Sequence, residues 1–283
     1  MTIDKNTVIE KAGYKSILLD FFYNSGKKKM PLVIFCHGYK GYKDWGCWNL
    51  VAKEFASNNF FFIKFNFSHN GGTVNKPIDF PDLNAFGNNN FTHELNDIER
   101  VISFVTANKD LSENVDLNNI FLIGHSRGAG ICAIKASENK RIKGLITWAG
   151  VSDFKIRFNE GSKEFNEWKE NGVKYVENKR TKQQMPHFFQ FYLDFKKNEE
   201  RFNIKQAVQK LKIPFLVIHG DNDNSVLPFE GDDLHSWGKN SKFFSLKNGN
   251  HTFSSKHPWE EKKLPKELKA ATEASISFIK SCI

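Results

Sequence analysis

Three residue types that together carry out acyl transfer sit in this chain where short apolar runs give way to polar loops. Ser126 lies in Gly124-His125-Ser126-Arg127-Gly128, between the apolar run Ile120-Phe121-Leu122-Ile123 and a string of small residues. A strand, a sharp turn and a helix start over this stretch would put the serine at the apex. Glycines at 124 and 128 leave room where side chains would collide as the strand reverses. The amide of Arg127 then points into the same space from a helix N-terminus, where negative charge is favoured. Two glycines and a serine at fixed spacing arise by chance roughly 0.1 times in a chain of this length, so the partners decide.

A serine hydroxyl is a poor nucleophile until a base takes its proton, and the base needs a carboxylate to fix its tautomer. His251, in Gly249-Asn250-His251-Thr252-Phe253 after the last strand-like run, is the histidine placed to be that base. Asp223, in the loop that ends the preceding run, is the carboxylate placed to orient it. The negative oxygen that forms on an attacked carbonyl needs two donors. One is the Arg127 amide; the other is the amide of Tyr39 in the glycine-rich stretch His37-Gly38-Tyr39-Lys40-Gly41. Gly38 there permits a close backbone approach.

The elements that must position these loops can be read from the apolar pattern. Residues 7–10 and 16–23 read as opening strands, and 32–36 as a strand buried on both faces. A helix is expected over 48–57 and a strand over 60–67. The polar loop 68–72 follows it and offers His69 to a ligand crevice. Residues up to Asn90 look irregular. Leu95, Ile98, Val101, Ile102 and Val105 then share one helical face, with Thr92 as N-cap. Strands at 142–149, from 213 and at 242–246, with helices near 231–237 and 266–280, complete an alternating rhythm. That rhythm implies a mainly parallel, doubly wound sheet of about eight strands.

The rhythm breaks between 154 and 205, where the pattern is charged, helical and aromatic, and no strand is expected. We therefore expect a core of residues 1–153 and 206–283, and a helical cap or lid of residues 154–205. Most of its aromatics should glue the cap to the core, with two or three facing the pocket. Its aromatics favour an apolar or aromatic acyl group, whereas Arg127, Lys40 and Lys43 favour an anionic one. Residues expected at the pocket are His37, Gly38, Lys40, His69, Asp153 and Phe154.

Composition limits the function classes. The 283 residues are 40% hydrophobic and 26% charged, and 28 of them are phenylalanine, which suits a large core. No apolar run is long enough to span a membrane. The start, Met1-Thr2-Ile3-Asp4-Lys5-Asn6, has no apolar h-region, so no secretory signal is expected. Four widely spaced cysteines without a CxxC pair read as thiols of a cytoplasmic protein. The net charge of +9 is spread along the chain, and the one dense basic run, Lys27-Lys28-Lys29, sits beside a turn. No nucleic-acid partner is expected from that distribution. The histidines lack ligand spacing, so neither a metal nor an organic cofactor is expected. The expected partner is a small-molecule ester, and a homodimer stays open.

Four segments carry a resemblance to a known family. His219-Gly220-Asp221-Asn222-Asp223-Asn224-Ser225-Val226 resembles the His-Gly-x-x-Asp-x-x-Val segment of α/β-hydrolases, and Asn250-His251-Thr252-Phe253 their terminal Gly-x-x-His-x-Phe. Together with His37–Gly41 and Gly124–Gly128, these residues are similar to the dienelactone-hydrolase-like, prolyl-oligopeptidase-like and feruloyl-esterase-like branch. The likeness covers roughly residues 15–280. It implies the α/β-hydrolase fold, a Ser126–His251–Asp223 triad, and an oxyanion hole from the Tyr39 and Arg127 amides. Val226-Leu227-Pro228 has one residue more than the usual Val-Pro, which keeps Asp221 as a second candidate acid. Asp153 is a third, since some relatives place their acid there. A serine rather than a cysteine at 126 argues against true dienelactone hydrolase activity. The expected function is a serine carboxylesterase on small, aromatic or feruloyl-type esters. A peptidase of the prolyl-oligopeptidase-like type is the rival, and would need an acidic anchor such as Glu160, Glu164 or Glu167. A non-catalytic binding protein on the same fold is the third reading.

Overall fold

The computed structural model describes residues 1–26 and 29–283, so two of the three lysines of the basic run lie outside the described residues. Eight strands form one sheet: β1 (Thr2–Lys11), β2 (Tyr14–Tyr23), β3 (Met30–Cys36), β4 (Phe61–Asn66), β5 (Val115–His125), β6 (Ile142–Trp148), β9 (Phe215–Gly220) and β10 (Ser241–Leu246). Their order is β1-β2-β4-β3-β5-β6-β9-β10. Only β2 runs against its neighbours; β4, β3, β5, β6, β9 and β10 are mutually parallel. The chain reverses its winding between β3 and its two neighbours, β4 and β5, so the loops after β3 and β5 open a crevice at the carboxyl edge.

The central strands are apolar without alternation because both faces are covered. In β5, Ile120 and Leu122 enter the core on one face while Phe121 and Ile123 enter the core on the other. Helices α3 (Phe91–Ala107), α5 (Arg127–Glu138) and α8 (Ile204–Lys210) cover the first face. Helices α1 (Trp48–Ser57) and α10 (Lys266–Lys280) cover the second. Short helices α2 (Leu83–Gly87) and α4 (Lys109–Ser112) occupy stretches without a helical period, and α9 (Pro228–Trp237) opens with proline at its first position. The N-cap of α3 is Asn90, whose side chain accepts from the His93 amide, and not Thr92. Thr92 lies inside the first turn and donates its hydroxyl to Asp194.

The segment between β6 and β9 departs from an all-helical expectation. A 3-10 turn at Lys155–Phe158, α6 (Lys163–Asn171) and α7 (Gln190–Lys197) are joined by an antiparallel hairpin, β7 (Val173–Glu177) with β8 (Gln184–Phe188). These strands are only five residues long and mix apolar with charged and polar side chains, Met185 and Pro186 alone being buried, so they lack the apolar run that reveals strands buried on both faces. Phe158, Phe165, Trp168 and Phe195 are buried and join the core through Phe91 and Phe202.

A closed ring of charge is buried where the loop after β3 crosses β2 and β4. Lys43 Nζ pairs with Asp20 at 2.7 Å and Asp44 at 2.6 Å, and Lys64 Nζ pairs with Asp44 at 2.8 Å and also with Asp20. Both lysines and Asp20 are fully buried. The Lys43 amide also donates to Asn66 Oδ1 at 2.6 Å, so the loop is pinned to the end of β4. Lys43 is thus a structural ion and not, as its sequence position suggested, a cation offered to substrate. Removing one member leaves a buried carboxylate short of a partner. Lys64→Met should lower the unfolding free energy by about 3–5 kcal/mol in urea titrations; a loss below about 1 kcal/mol would contradict this assignment.

Candidate active site

β5 ends at His125, and Ser126 makes the turn into α5 with φ 55° and ψ −122°, a region that non-glycine residues seldom occupy. The surroundings hold it there. The Ser126 amide donates to the Trp148 carbonyl at 2.9 Å, and its carbonyl accepts from the Ala129 amide at 3.0 Å. A β-carbon on Gly124 would come within 2.5 Å of the backbone of Gly128 and Ala129; one on Gly128 would come within 2.5 Å of the Cys36 and His37 carbonyl oxygens. Both positions are closed to side chains, so the strain at Ser126 is built into the turn.

Asp223 and His251 reach the same spot from the ends of β9 and β10. Ser126 Oγ lies 3.0 Å from His251 Nε2, and His251 Nδ1 lies 2.8 Å from Asp223 Oδ2. The other carboxylate oxygen of Asp223 accepts from the Ser225 and Val226 amides at 2.8 and 3.0 Å. Burial alone would raise this acid. Hydrogen bonds from His219, His251 and the Ser225 amide instead hold it well below the usual carboxylate range. His251 therefore faces a fixed anion on one ring nitrogen and the serine on the other. Its own loop is held by His125, whose Nε2 donates to the His251 carbonyl at 2.8 Å, and by Phe253, buried against Trp148.

The loop after β3 closes the site from the opposite side. A β-carbon on Gly38 would stand 2.8 Å from that of Ser126, so only glycine lets the loop pass so close. His37 is buried, donates from Nδ1 to the Gly38 carbonyl at 2.9 Å, and accepts from the Phe67 amide at Nε2. Beyond it, the amides of Tyr39 and Arg127 have no backbone acceptor among the described residues. Both belong to the residues that surround Ser126. The Tyr39 hydroxyl donates to His187 Nε2 at 2.8 Å, which ties this loop to β8.

Ser126 and His251 stand at the junction of two lobes. One, about 590 Å³, is lined by His37, Gly38, Lys40, Trp48, Arg180 and His257 among others. The second, about 450 Å³, is walled by Phe158, Trp168 and Phe191, with Arg157 and Lys174. Tyr39 and Val176 border both. Of the residues expected at the pocket, His37, Gly38 and Lys40 line it, and three do not. His69 is stacked on His93 with ring centroids 4.0 Å apart, away from Ser126. Asp153 turns its carboxylate to the amides of Lys155 and Ile156 as a local cap, and Phe154 is buried flat against Phe91. Asp221 accepts from the Asn248 amide and faces solvent, so it is no rival to Asp223.

Three contributors escaped the sequence reading. Glu94 is buried and pairs with Arg127 at 2.9 Å, so that guanidinium anchors the turn. The signal was available: position 94 falls on the apolar face that Ile98 and Val101 mark. His187 and Lys174 come from the unforeseen hairpin.

Burial pushes His37 down to about 4 and His125 to about 3, so both stay neutral in the folded protein through the mildly acid range. Unfolding exposes them to an ordinary value near 6.5, so the unfolded chain gains protons that the folded chain refuses. Stability contributed in this way is complete above pH 6.5 and is lost as pH falls. Each histidine contributes a slope of about 1.4 kcal/mol per pH unit. Asp97, raised by burial to about 7, and Glu94, also raised by burial, oppose, whereas His69 and His187, each pushed down by burial to about 3, add to the histidine side and leave a net slope of its sign. Urea midpoints should therefore fall between pH 6 and pH 5; a flat or rising midpoint would contradict these assignments.

The family model described as BD-FAE matches residues 19–237. No curated protein sequence matches the chain. Among solved structures, Est1E from Butyrivibrio proteoclasticus superposes with a TM-score of 0.74 at 16% identity, covering 98% of each chain. The esterase domain of a Rhodothermus marinus protein gives 0.68 at 15%, covering 99% of each. A dienelactone hydrolase from Anabaena variabilis gives 0.65 at 12%, covering 100% of this chain and 98% of that one. With a serine at the β5 turn, an acid after β9 and a histidine after β10 of one doubly wound sheet, the chain has the α/β-hydrolase fold and belongs to the BD-FAE family.

Proposed function

We propose that this protein is a serine hydrolase that cleaves small carboxylic esters through an acyl-enzyme intermediate. The observation that carries the reading is the unbroken relay from Ser126 through His251 to Asp223, at 3.0 and 2.8 Å, beside two unengaged amides. Ser126 Oγ attacks the ester carbonyl and gives its proton to His251 Nε2. The oxyanion sits between the Tyr39 and Arg127 amides. The alcohol leaves with the proton from His251, and water, activated by the same imidazole, then releases the acid. The segment 154–205 acts as the cap: its Phe158, Trp168 and Phe191 make an apolar wall suited to an aromatic arm, including a feruloyl type. One neighbour is described as ferulic acid bound to Est1E, which makes such esters a natural first screen.

The lining of the cleft favours an ester over a peptide with a free amine. Glu160, Glu164 and Glu167 are exposed and line neither lobe, and Glu177 is the one carboxylate among the lining residues. An amine would meet Lys40, Lys174 and Arg180 instead. The four cysteines are free thiols, which suits a reducing, cytoplasmic setting.

Two variants test the reading. Ser126→Ala should cut turnover of short nitrophenyl esters by roughly 10⁴–10⁶-fold with an unchanged circular-dichroism melt; turnover within tenfold of wild type would refute it. Gly38→Ala, which pushes the Tyr39 amide away from the serine, should lower kcat by about 10²–10³-fold with little change in KM. An unchanged kcat would remove Tyr39 from the oxyanion hole.

A further inference from the structure

Charge in the second lobe is unevenly spent. Arg127 is occupied by Glu94 at 2.9 Å, and Arg157 places one guanidinium nitrogen 2.7 Å from both oxygens of Glu230. Lys174, on β7, differs. Its ammonium lies over the Trp168 ring, 3.9 Å from the centroid, and no carboxylate pairs with it among the described residues. No acidic side chain lines this lobe at all. An ammonium that has lost part of its water and gained only an indole face is under-compensated, because a cation–π contact returns less than an ion pair.

The walls around it are planar and fixed. Trp168 donates its indole N–H to the His187 carbonyl at 2.7 Å, so the ring cannot turn toward a ligand. Phe158 lies parallel to Trp168 at 6.3 Å, and Phe191 packs against Phe158. At about 450 Å³ the lobe holds a substituted aromatic ring rather than a long chain.

We infer that this lobe receives an aromatic arm of the ester that ends in an anionic group, and that Lys174 is the residue that recognises it. The inference rests on the esterase reading and narrows its substrate class. A carboxylate on the far side of the ring from the ester would meet the Lys174 ammonium while the ring lies among Phe158, Trp168 and Phe191. A neutral ring of the same shape would bury the same apolar area and leave the ammonium unpaired. Lys174 thus selects among aromatic esters without touching the reacting atoms.

The test separates binding from turnover. Calorimetry on the Ser126→Ala protein compares two shape-matched pairs: methyl 4-carboxybenzoate with methyl 4-methylbenzoate, and 4-acetoxybenzoate with 4-methylphenyl acetate. The first pair carries the charge on the acyl arm and the second on the alcohol arm. In one pair the carboxylated ester should bind about tenfold more tightly, since a charge-assisted contact is worth that much. Adding Lys174→Met should erase the preference within that pair, and Lys174→Arg should keep most of it. Equal binding within both pairs, or a preference that survives Lys174→Met, overturns the inference. Turnover of the neutral esters by the unsubstituted protein reports separately on the esterase reading, so one can fail while the other stands.

Discussion

His251 has to meet two partners at once, an alcohol on Nε2 and a carboxylate on Nδ1, and this requirement governs the geometry around it. The three side chains are separated by 97 and 28 positions in sequence. They meet because β5, β9 and β10 are parallel members of one sheet and discharge their loops at the same edge. Parallel strands can do this only when both faces of the sheet are covered, which the two packed cores on either side of β5 provide. The burial of the core and the aim of one imidazole are therefore the same structural fact seen at two scales.

Around that edge, the chain fixes each loop by a different means. Ser126 is held by backbone strain between two glycines, Asp223 by amides that take up its second oxygen, and His251 by a carbonyl contact from His125. The loop after β3 is held from behind by the buried lysine–aspartate ring and from the front by His187. These devices leave the three side chains little freedom, which is what the proposed mechanism would require of a preorganised site. The hairpin reaches the loop after β3 through the hydrogen bond between Tyr39 and His187, so segment 154–205 and that loop are tied together.

Legibility in the sequence followed burial. Strands buried on both faces, such as Leu32–Cys36 within β3, announce themselves as apolar runs, and the loops carrying Ser126, Asp223 and His251 are readable because they end such runs. The β7–β8 hairpin has short strands of mixed composition with no continuous apolar run, so in the sequence they look like loop or helix. The N-cap of α3 was displaced by two positions because Asn90 and Thr92 are both competent caps and only the backbone angle chooses between them. His69 and Asp153 sit in loops at the correct edge, but the sequence does not say which way a loop side chain turns. Lys174 could not be found from sequence, since its meaning lies in the carboxylate it lacks.

The most direct measurement is a crystal structure of the protein after reaction with a small aryl phosphonate, a mimic of the tetrahedral intermediate. A single covalent bond from Ser126 Oγ to phosphorus is the expected result. The phosphoryl oxygen should accept from the Tyr39 and Arg127 amides, and His251 should lie within hydrogen-bond reach of Oγ. Phosphonylation of any other residue, or a phosphoryl oxygen turned away from both amides, would contradict it.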